Sequence, residues 1–178
     1  NVGAAGLRAR CAFLHHRKMD MEVETLRSLS EEETIDLGER FASTLRVGDV
    51  VALFGDLGAG KTEFVKGICR YFSVEELVTS PTFTIINQYR GITDDGDTVK
   101  LYHVDLYRIE TPEELAETGF DDCVFAHDAI KLVEWPEKAL HLLPSGTHIV
   151  RLLPDPEDDT ARTITIERYV SPMGVERL

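Results

Sequence analysis

The chain lacks any apolar run approaching 18 residues, so no segment is long enough to cross a membrane as a helix. It has only three cysteines, Cys11, Cys69 and Cys123, and their wide spacing fits neither a disulfide framework nor a zinc site. These scarcities favour a cytoplasmic protein in which Cys69 and Cys123 are small buried apolar residues. Internal repeats and low-complexity tracts are absent as well.

Basic residues are also scarce. The chain carries 19 Lys and Arg against 32 Asp and Glu, a formal net charge of −13. Four of the basic residues lie within residues 1–19, which contain no acid, so residues 20–178 have a net charge of −17. A body this acidic repels a phosphate backbone, so we expect no direct binding to nucleic acid. Any link to RNA should pass through a partner protein.

Residues 1–19 differ from the rest of the chain. They begin without Met, show no clear apolar period and lead into two candidate start residues, Met19 and Met21. We interpret them as a non-native or disordered extension; a basic targeting segment is the alternative, although they contain no Ser and no cleavage pattern. Residues 20–178 are predicted to form a single domain.

The chain does contain a complete G-x-x-x-x-G-K-[ST] pattern between a predicted strand (49–54) and a predicted helix (61–72). In that setting glycines let the backbone turn N–H groups toward an anion, and the helix N-terminus adds partial positive charge. Lys61 would contact the β- and γ-phosphates of a nucleotide, and the Thr62 hydroxyl would bind Mg²⁺. The alternative is a glycine-rich structural turn. The loop residues are Gly55, Asp56, Leu57, Gly58, Ala59, Gly60, Lys61 and Thr62.

Local signals elsewhere predict an α/β domain. Ser30 and Glu33 have the spacing of a capping box and predict a helix over about 31–45. Thr111 followed by Pro112 predicts the start of a further helix. Turn signals and runs of apolar, β-branched or aromatic residues predict strands over 82–89, 100–109, 129–133, 147–153 and 162–169. The order indicates a P-loop NTPase-like domain of three layers, with a mixed sheet that is parallel around the phosphate loop and antiparallel toward one edge.

Two acidic residues, Asp105 and Glu134, end predicted strands and could complete a magnesium site. In doubly wound sheets the carboxyl ends of the strands border the crevice that holds the ligand. One carboxylate would hold Mg²⁺ in the manner of a Walker-B acid, and a second could orient the attacking water. The alternative for each is a solvated acid at the end of a strand.

Three further features each allow two interpretations. Ser80-Pro81-Thr82 could sense a γ-phosphate as switch segments do, or could simply begin a strand. His103 is better interpreted as a packed or surface strand residue than as a metal ligand, because no second His lies at ligand spacing. Trp135, the only tryptophan, could stack on a base or a partner, or could pack in the core.

Missing motifs narrow the ligand and the reaction. The chain contains no Asn-Lys-x-Asp sequence, the usual guanine-reading element of GTPases, so ATP is favoured. No Arg-rich lid follows the helix after the phosphate loop, which argues against a small-molecule kinase.

Several segments together resemble the TsaE family of bacterial ATPases, which are needed for the threonylcarbamoyladenosine modification of tRNA. The similarity covers about residues 22–170 and is far more specific than the phosphate loop alone. The matching segments are Gly55–Thr62, Ser80–Thr84, Tyr102–Arg108, Pro112–Leu115 and Glu134–Glu137.

The resemblance implies ATP binding with Mg²⁺ and weak hydrolysis that partner proteins stimulate. The implied partners are TsaD and TsaB, whose complex modifies adenosine 37 of tRNAs reading ANN codons and would be reset by ATP hydrolysis between turnovers. Direct tRNA binding is not expected of so acidic a chain.

The resemblance also implies roles for single residues. Lys61, Asp105 and Glu134 would be catalytic, and Thr62, Asp105 and Glu134 would form the metal site, with Asp105 as the Walker-B-like acid. Beside the loop itself, the implied nucleotide contacts are Thr34, Ser80, Thr82 and Arg162.

One position departs from the family pattern. Glu63 stands where the family often has a second hydroxyl, and a carboxylate facing the phosphates would weaken nucleotide binding. On a helix, this side chain can instead turn outward. Two other functions remain open: a nucleotide-gated binding module that needs no turnover, and a small-molecule phosphotransferase.

Overall fold

The computed structural model describes residues 23–168, so the extension predicted at 1–19 lies outside the described residues. None of the described helices is long and apolar enough to span a membrane. The chain runs through β1 (Glu24–Ser28), α1 (Glu31–Ala42), β2 (Val50–Phe54), α2 (Lys61–Tyr71), β3 (Ile86–Ile92), β4 (Thr98–Asp105), α3 (Pro112–Glu117), α4 (Phe120–Val124), β5 (Ala129–Glu134), a 3₁₀ helix (Pro136–Leu142), β6 (His148–Pro154) and β7 (Arg162–Arg168).

The seven described strands form one mixed sheet in the order β1-β7-β6-β2-β5-β4-β3. The four central strands, β6, β2, β5 and β4, are parallel to one another. This confirms the predicted mixed, centrally parallel sheet. Antiparallel strands lie at both edges, where only one such edge was predicted: β3 pairs antiparallel at one edge, and β7 and β1 do so at the other. The short connection between β6 and β7 allows these two strands to pair only in the antiparallel direction. Strand β1, which pairs with β7, was not predicted from the sequence.

Helices cover both faces of the sheet and produce the predicted three layers. On one face, α1 and α2 pack over a core that includes Phe64 and Ile68, both fully buried. On the other face, α3, α4 and the 3₁₀ helix enclose a second core around Leu106 and Phe120. Strand β5 lies in the middle and all six of its residues are buried, as expected for a central parallel strand.

The phosphate-loop helix is held against α1 through two glycines. A Cβ at Gly67 would lie 2.0 Å from the Ile35 carbonyl oxygen, and one at Gly38 would lie 2.2 Å from the Phe64 carbonyl oxygen. Any larger residue would push the helices apart. The glycines therefore set how closely α2, and with it the phosphate loop, packs against the rest of the domain.

Two helix starts follow their predicted caps. Ser30 Oγ accepts a hydrogen bond from Glu33 N at 3.1 Å, and Thr111 Oγ1 accepts one from Glu114 N at 3.2 Å. Leu29 N donates to the Glu33 carboxylate at 2.7 Å, whereas in a capping box the donor would be the backbone N–H of Ser30. Helix α1 ends at Ala42, three residues earlier than expected.

Most strand boundaries differ by a few residues from the sequence prediction, and two of these differences shape the cleft. The strand expected from Thr82 begins only at Ile86, because residues 82–84 form a turn closed by a 2.6 Å hydrogen bond from Ile85 N to Pro81 O. The strand expected to reach Ile109 ends at Asp105. In both places the chain leaves the sheet to form the walls of a cleft, and apolar composition alone does not show that departure.

Candidate nucleotide-binding site

The phosphate loop joins the end of β2 to the start of α2, as predicted. Lys61, the first residue of α2, is almost fully buried, and its Nζ donates to the carbonyls of Gly55 at 2.7 Å and Asp56 at 2.9 Å. The same ammonium lies 4.2 Å from the centre of the Trp135 ring. Burial lowers the pKa of Lys61, while the nearby charges of Glu134 and Asp105 oppose that shift.

The two predicted carboxylates stand side by side at the carboxyl ends of adjacent parallel strands. Asp105 of β4 is the register partner of Glu134 of β5, and each is only 3% exposed. Glu134 Oε1 accepts a hydrogen bond from the Thr62 hydroxyl at 2.9 Å. The acid in contact with the predicted magnesium ligand of the loop is therefore Glu134.

Asp105 is hydrogen-bonded to the segment Ser80–Thr82 and has no hydrogen bond to Thr62. Its Oδ2 accepts from Ser80 Oγ and from Thr82 Oγ1, both at 2.7 Å, and its Oδ1 accepts from Tyr107 N at 2.9 Å. The two hydroxyl oxygens lie 2.6 Å apart. Ser80 and Thr82 thus belong to the site and do not begin a strand.

Arg162 approaches the loop from the first position of β7. A Cβ at Gly60 would lie 3.2 Å from Arg162 Nε, so the glycine lets the guanidinium pack directly against the loop backbone. Arg162 Nη1 donates to Thr34 Oγ1 at 2.9 Å, whereas its buried Nε has no hydrogen-bond partner in the described structure. Thr34 itself, predicted as a nucleotide contact, is fully buried and does not line the cleft; its hydroxyl instead accepts the hydrogen bond that holds Arg162.

These groups surround a cleft of about 360 Å³. Gly55 and Asp56 do not line it; their carbonyls instead hold the Lys61 side chain. The predicted residues that do line it are Leu57, Gly58, Ala59, Gly60, Lys61, Thr62, Ser80, Thr82, Asp105, Glu134 and Arg162.

The donor set at one end of the cleft suits magnesium. Thr62, Glu134 and Asp105 offer only oxygen atoms, which are the ligands that Mg²⁺ takes in proteins. Within residues 23–168 there is no cluster of three or more acidic, His or Cys side chains that would form a complete metal cage. Two carboxylates and one hydroxyl suit an ion that also takes substrate phosphates as ligands.

The family model for the threonylcarbamoyl adenosine biosynthesis protein TsaE matches residues 28–164. The chain belongs to the TsaE family. It is 38% identical over 139 residues to the tRNA threonylcarbamoyladenosine biosynthesis protein TsaE of Rickettsia bellii, covering 78% of this chain and 92% of that protein. It is 37% identical over 145 residues to TsaE of Bacillus subtilis, covering 80% of this chain and 87% of that one.

A solved structure supports the fold assignment of this TsaE family member. The crystal structure of YdiB from Bacillus subtilis superimposes with a TM-score of 0.64 at 31% sequence identity. The superposition covers 83% of this chain and 86% of YdiB. The three-layer arrangement around a partly parallel sheet is thus shared with that protein.

The residue that departs from the TsaE pattern is paired in the structure. Glu63 borders the cleft, but its carboxylate forms an ion pair with Lys66 at 2.9 Å one helical turn further along α2. Both side chains are partly exposed, so solvent screens the remaining charge. The ion pair with Lys66 thus neutralises part of the Glu63 charge beside the cleft.

Sequence reasoning missed parts of the site in this TsaE family member. Glu31 and Tyr107 also line the cleft, and the Tyr107 ring lies 5.0 Å from that of Trp135. His103 is a packed strand residue, one of the two interpretations given above, but its contact with the site was not predicted: its Nε2 lies 2.8 Å from Glu134 Oε1. The available signal was its place two residues before Asp105, because alternate residues of a strand share one face.

Proposed function

We propose that this protein binds ATP together with Mg²⁺ in the cleft and hydrolyses it slowly on its own. The observation that carries the proposal is the 2.9 Å hydrogen bond between Thr62 of the phosphate loop and Glu134, with Asp105 beside Glu134 in the strand register. A glycine-rich structural turn would need neither the buried lysine nor the two buried carboxylates.

Each residue then has a part in the reaction. The loop N–H groups and Lys61 would bind the β- and γ-phosphates, and Arg162 would add positive charge at the loop. Thr62 and Glu134 would hold Mg²⁺, which neutralises phosphate charge when bound. Asp105, with the hydroxyls of Ser80 and Thr82, would orient the attacking water and respond to the γ-phosphate.

We further propose that hydrolysis serves threonylcarbamoyladenosine formation at position 37 of tRNAs reading ANN codons. The family relatives are named for that pathway. The proposed targets are the TsaD and TsaB proteins in the cytoplasm, which would stimulate turnover. The net charge of −17 over residues 20–178 supports a protein partner, because a tRNA backbone would be repelled.

The decisive experiment measures phosphate release and tRNA modification together. Purified protein is assayed with Mg²⁺-ATP alone and then with TsaD, TsaB and substrate tRNA. Wild type should hydrolyse ATP slowly alone and faster with the partners. Glu134→Gln should lose at least about tenfold in hydrolysis rate, as expected for loss of a group that stabilises the reacting charge. The matched control is Glu117→Gln, at the exposed end of α3.

The modification readout separates the ATPase from a nucleotide-gated binding module. If Glu134→Gln stops hydrolysis while tRNA modification continues through many turnovers, hydrolysis is not the function. If the wild type transfers phosphate from ATP to a metabolite, the protein is a phosphotransferase. A failure to associate with TsaD and TsaB, with or without ATP, would contradict the proposed pathway role.

A further inference from the structure

We propose that His103 is a positioning residue for the candidate magnesium site. It holds the Glu134 carboxylate so that one oxygen stays bonded to Thr62 while the other remains available to the cleft. The inference deepens the proposed function and rests on it, because it assumes that Glu134 takes part in Mg²⁺-ATP binding.

A single carboxylate oxygen accepts both hydrogen bonds. Oε1 of Glu134 lies 2.8 Å from His103 Nε2 and 2.9 Å from the Thr62 hydroxyl. An ionised carboxylate can only accept, so His103 Nε2 is the donor. Among the described residues no hydrogen bond reaches Oε2, and Glu134 lines the cleft. Two donors on Oε1 therefore leave Oε2 as the free metal-binding atom.

The imidazole is fixed in place by burial. His103 is fully buried, and the ring of Tyr89, itself 4% exposed, lies 6.4 Å from it. His103 and Asp105 share one face of β4, and Asp105 is the register partner of Glu134. The strand pairing thus brings the ring to Glu134, and the core around it restricts other rotamers.

Packing alone does not explain a histidine here. Its second nitrogen, Nδ1, is buried and has no hydrogen-bond partner in the described part of the chain. A leucine would fill much of the space without leaving a polar atom unsatisfied, which is the more stable choice for a core position. The benefit of the histidine therefore lies in the bond to Glu134. Outer partners of metal ligands commonly act in this way.

The test compares His103→Leu with His103→Gln. Leucine removes the donor, whereas the glutamine amide can occupy the place of Nε2–H and serves as the conservative rescue. Two quantities are measured: the Mg²⁺ concentration that gives half-maximal ATP hydrolysis, and the calorimetric affinity for a non-hydrolysable ATP analogue with and without Mg²⁺. Thermal unfolding is recorded for each variant.

For His103→Leu we expect the Mg²⁺ requirement to rise by roughly 10- to 100-fold, the usual cost of losing an outer partner of a metal ligand. Its affinity for the analogue without Mg²⁺ should be unchanged, and His103→Gln should recover most of the loss. In a Glu134→Gln background, His103→Leu should have no further effect on the Mg²⁺ requirement.

An unchanged Mg²⁺ requirement in folded His103→Leu would overturn the inference and leave His103 as a packing residue. If His103→Leu does not fold, His103→Asn replaces it, because the shorter amide lies near Nδ1 and cannot reach Glu134. Equal Mg²⁺ requirements of the Asn and Gln variants would then overturn the inference. An absence of ATP binding by wild type would instead defeat the proposed function, and with it the basis of this inference.

Discussion

The ammonium of Lys61 lies 4.2 Å from the centre of the Trp135 ring while it donates to two carbonyls of the phosphate loop. The ammonium is thus held between the face of the Trp135 ring and the carbonyls of the phosphate loop. Because Trp135 is the only tryptophan in the chain, the tryptophan fluorescence of the protein reports directly on this site.

We expect Lys61→Ala to weaken ATP binding by roughly 1.5–3 kcal/mol, the range for a lost charge-assisted hydrogen bond. The measurement is a titration with Mg²⁺-ATP followed by tryptophan fluorescence and by calorimetry. Lys100→Ala, which removes a lysine paired with Asp128 at an exposed site away from the cleft, is the matched control and should change affinity little. Equal affinities of wild type and Lys61→Ala would show that ATP does not bind at this loop.

Replacing Gly67 by alanine should destabilise the fold. Its Cβ would lie 2.0 Å from the Ile35 carbonyl oxygen, a backbone atom that can move only if α1 and α2 separate. We expect a loss of about 3 kcal/mol in the free energy of unfolding, at the upper end of the cost of overpacking. Urea unfolding measures the loss, with Lys66→Ala as the neighbouring control. A loss below about 1 kcal/mol would mean that the helices shift apart easily.

The fold should lose stability in mild acid through His148. Burial lowers the pKa of this histidine, the charge of Arg168 adds to the shift, and Asp49 opposes it. The unfolded chain therefore binds a proton at this histidine at higher pH than the folded chain does. The contribution of neutral His148 to the free energy of unfolding is complete above about pH 6.5 and is lost as the pH falls through the folded pKa. Urea unfolding of wild type and His148→Asn between about pH 7.5 and 5 tests this. The variant should show the smaller loss, and parallel curves would contradict the prediction.

The two described cysteines should be unreactive while the protein is folded. Burial raises the pKa of Cys69 to about 12 and that of Cys123 to about 11. Few thiolates form near neutral pH, so a thiol reagent should react at least about 100-fold more slowly than with a free cysteine. The assay uses Cys11→Ser, because Cys11 lies outside the described residues, and denaturant provides the control in which both thiols react. Rapid labelling of the folded chain would show that one of the helices opens.

Much of this protein follows from short-range pattern. The capping residues Ser30 and Thr111 determine where two helices begin, because their side chains bond to backbone N–H groups three residues further along. The glycines and Lys61 determine a phosphate-binding turn between a strand and a helix, because the motif is itself a local backbone conformation. These features need no knowledge of the rest of the fold.

Which carboxylate meets which hydroxyl was decided only by the tertiary structure. Thr62 and Glu134 are 72 residues apart and meet because β5 pairs directly with β2, which places Asp105 one strand further away against Ser80 and Thr82. The pairing of β4 with β5 likewise brings His103 to Glu134. Arg162 of β7 reaches Thr34 of α1 although the two lie 128 residues apart in the sequence. Strand order and register arise from burial summed over the whole sheet, so no single segment encodes them.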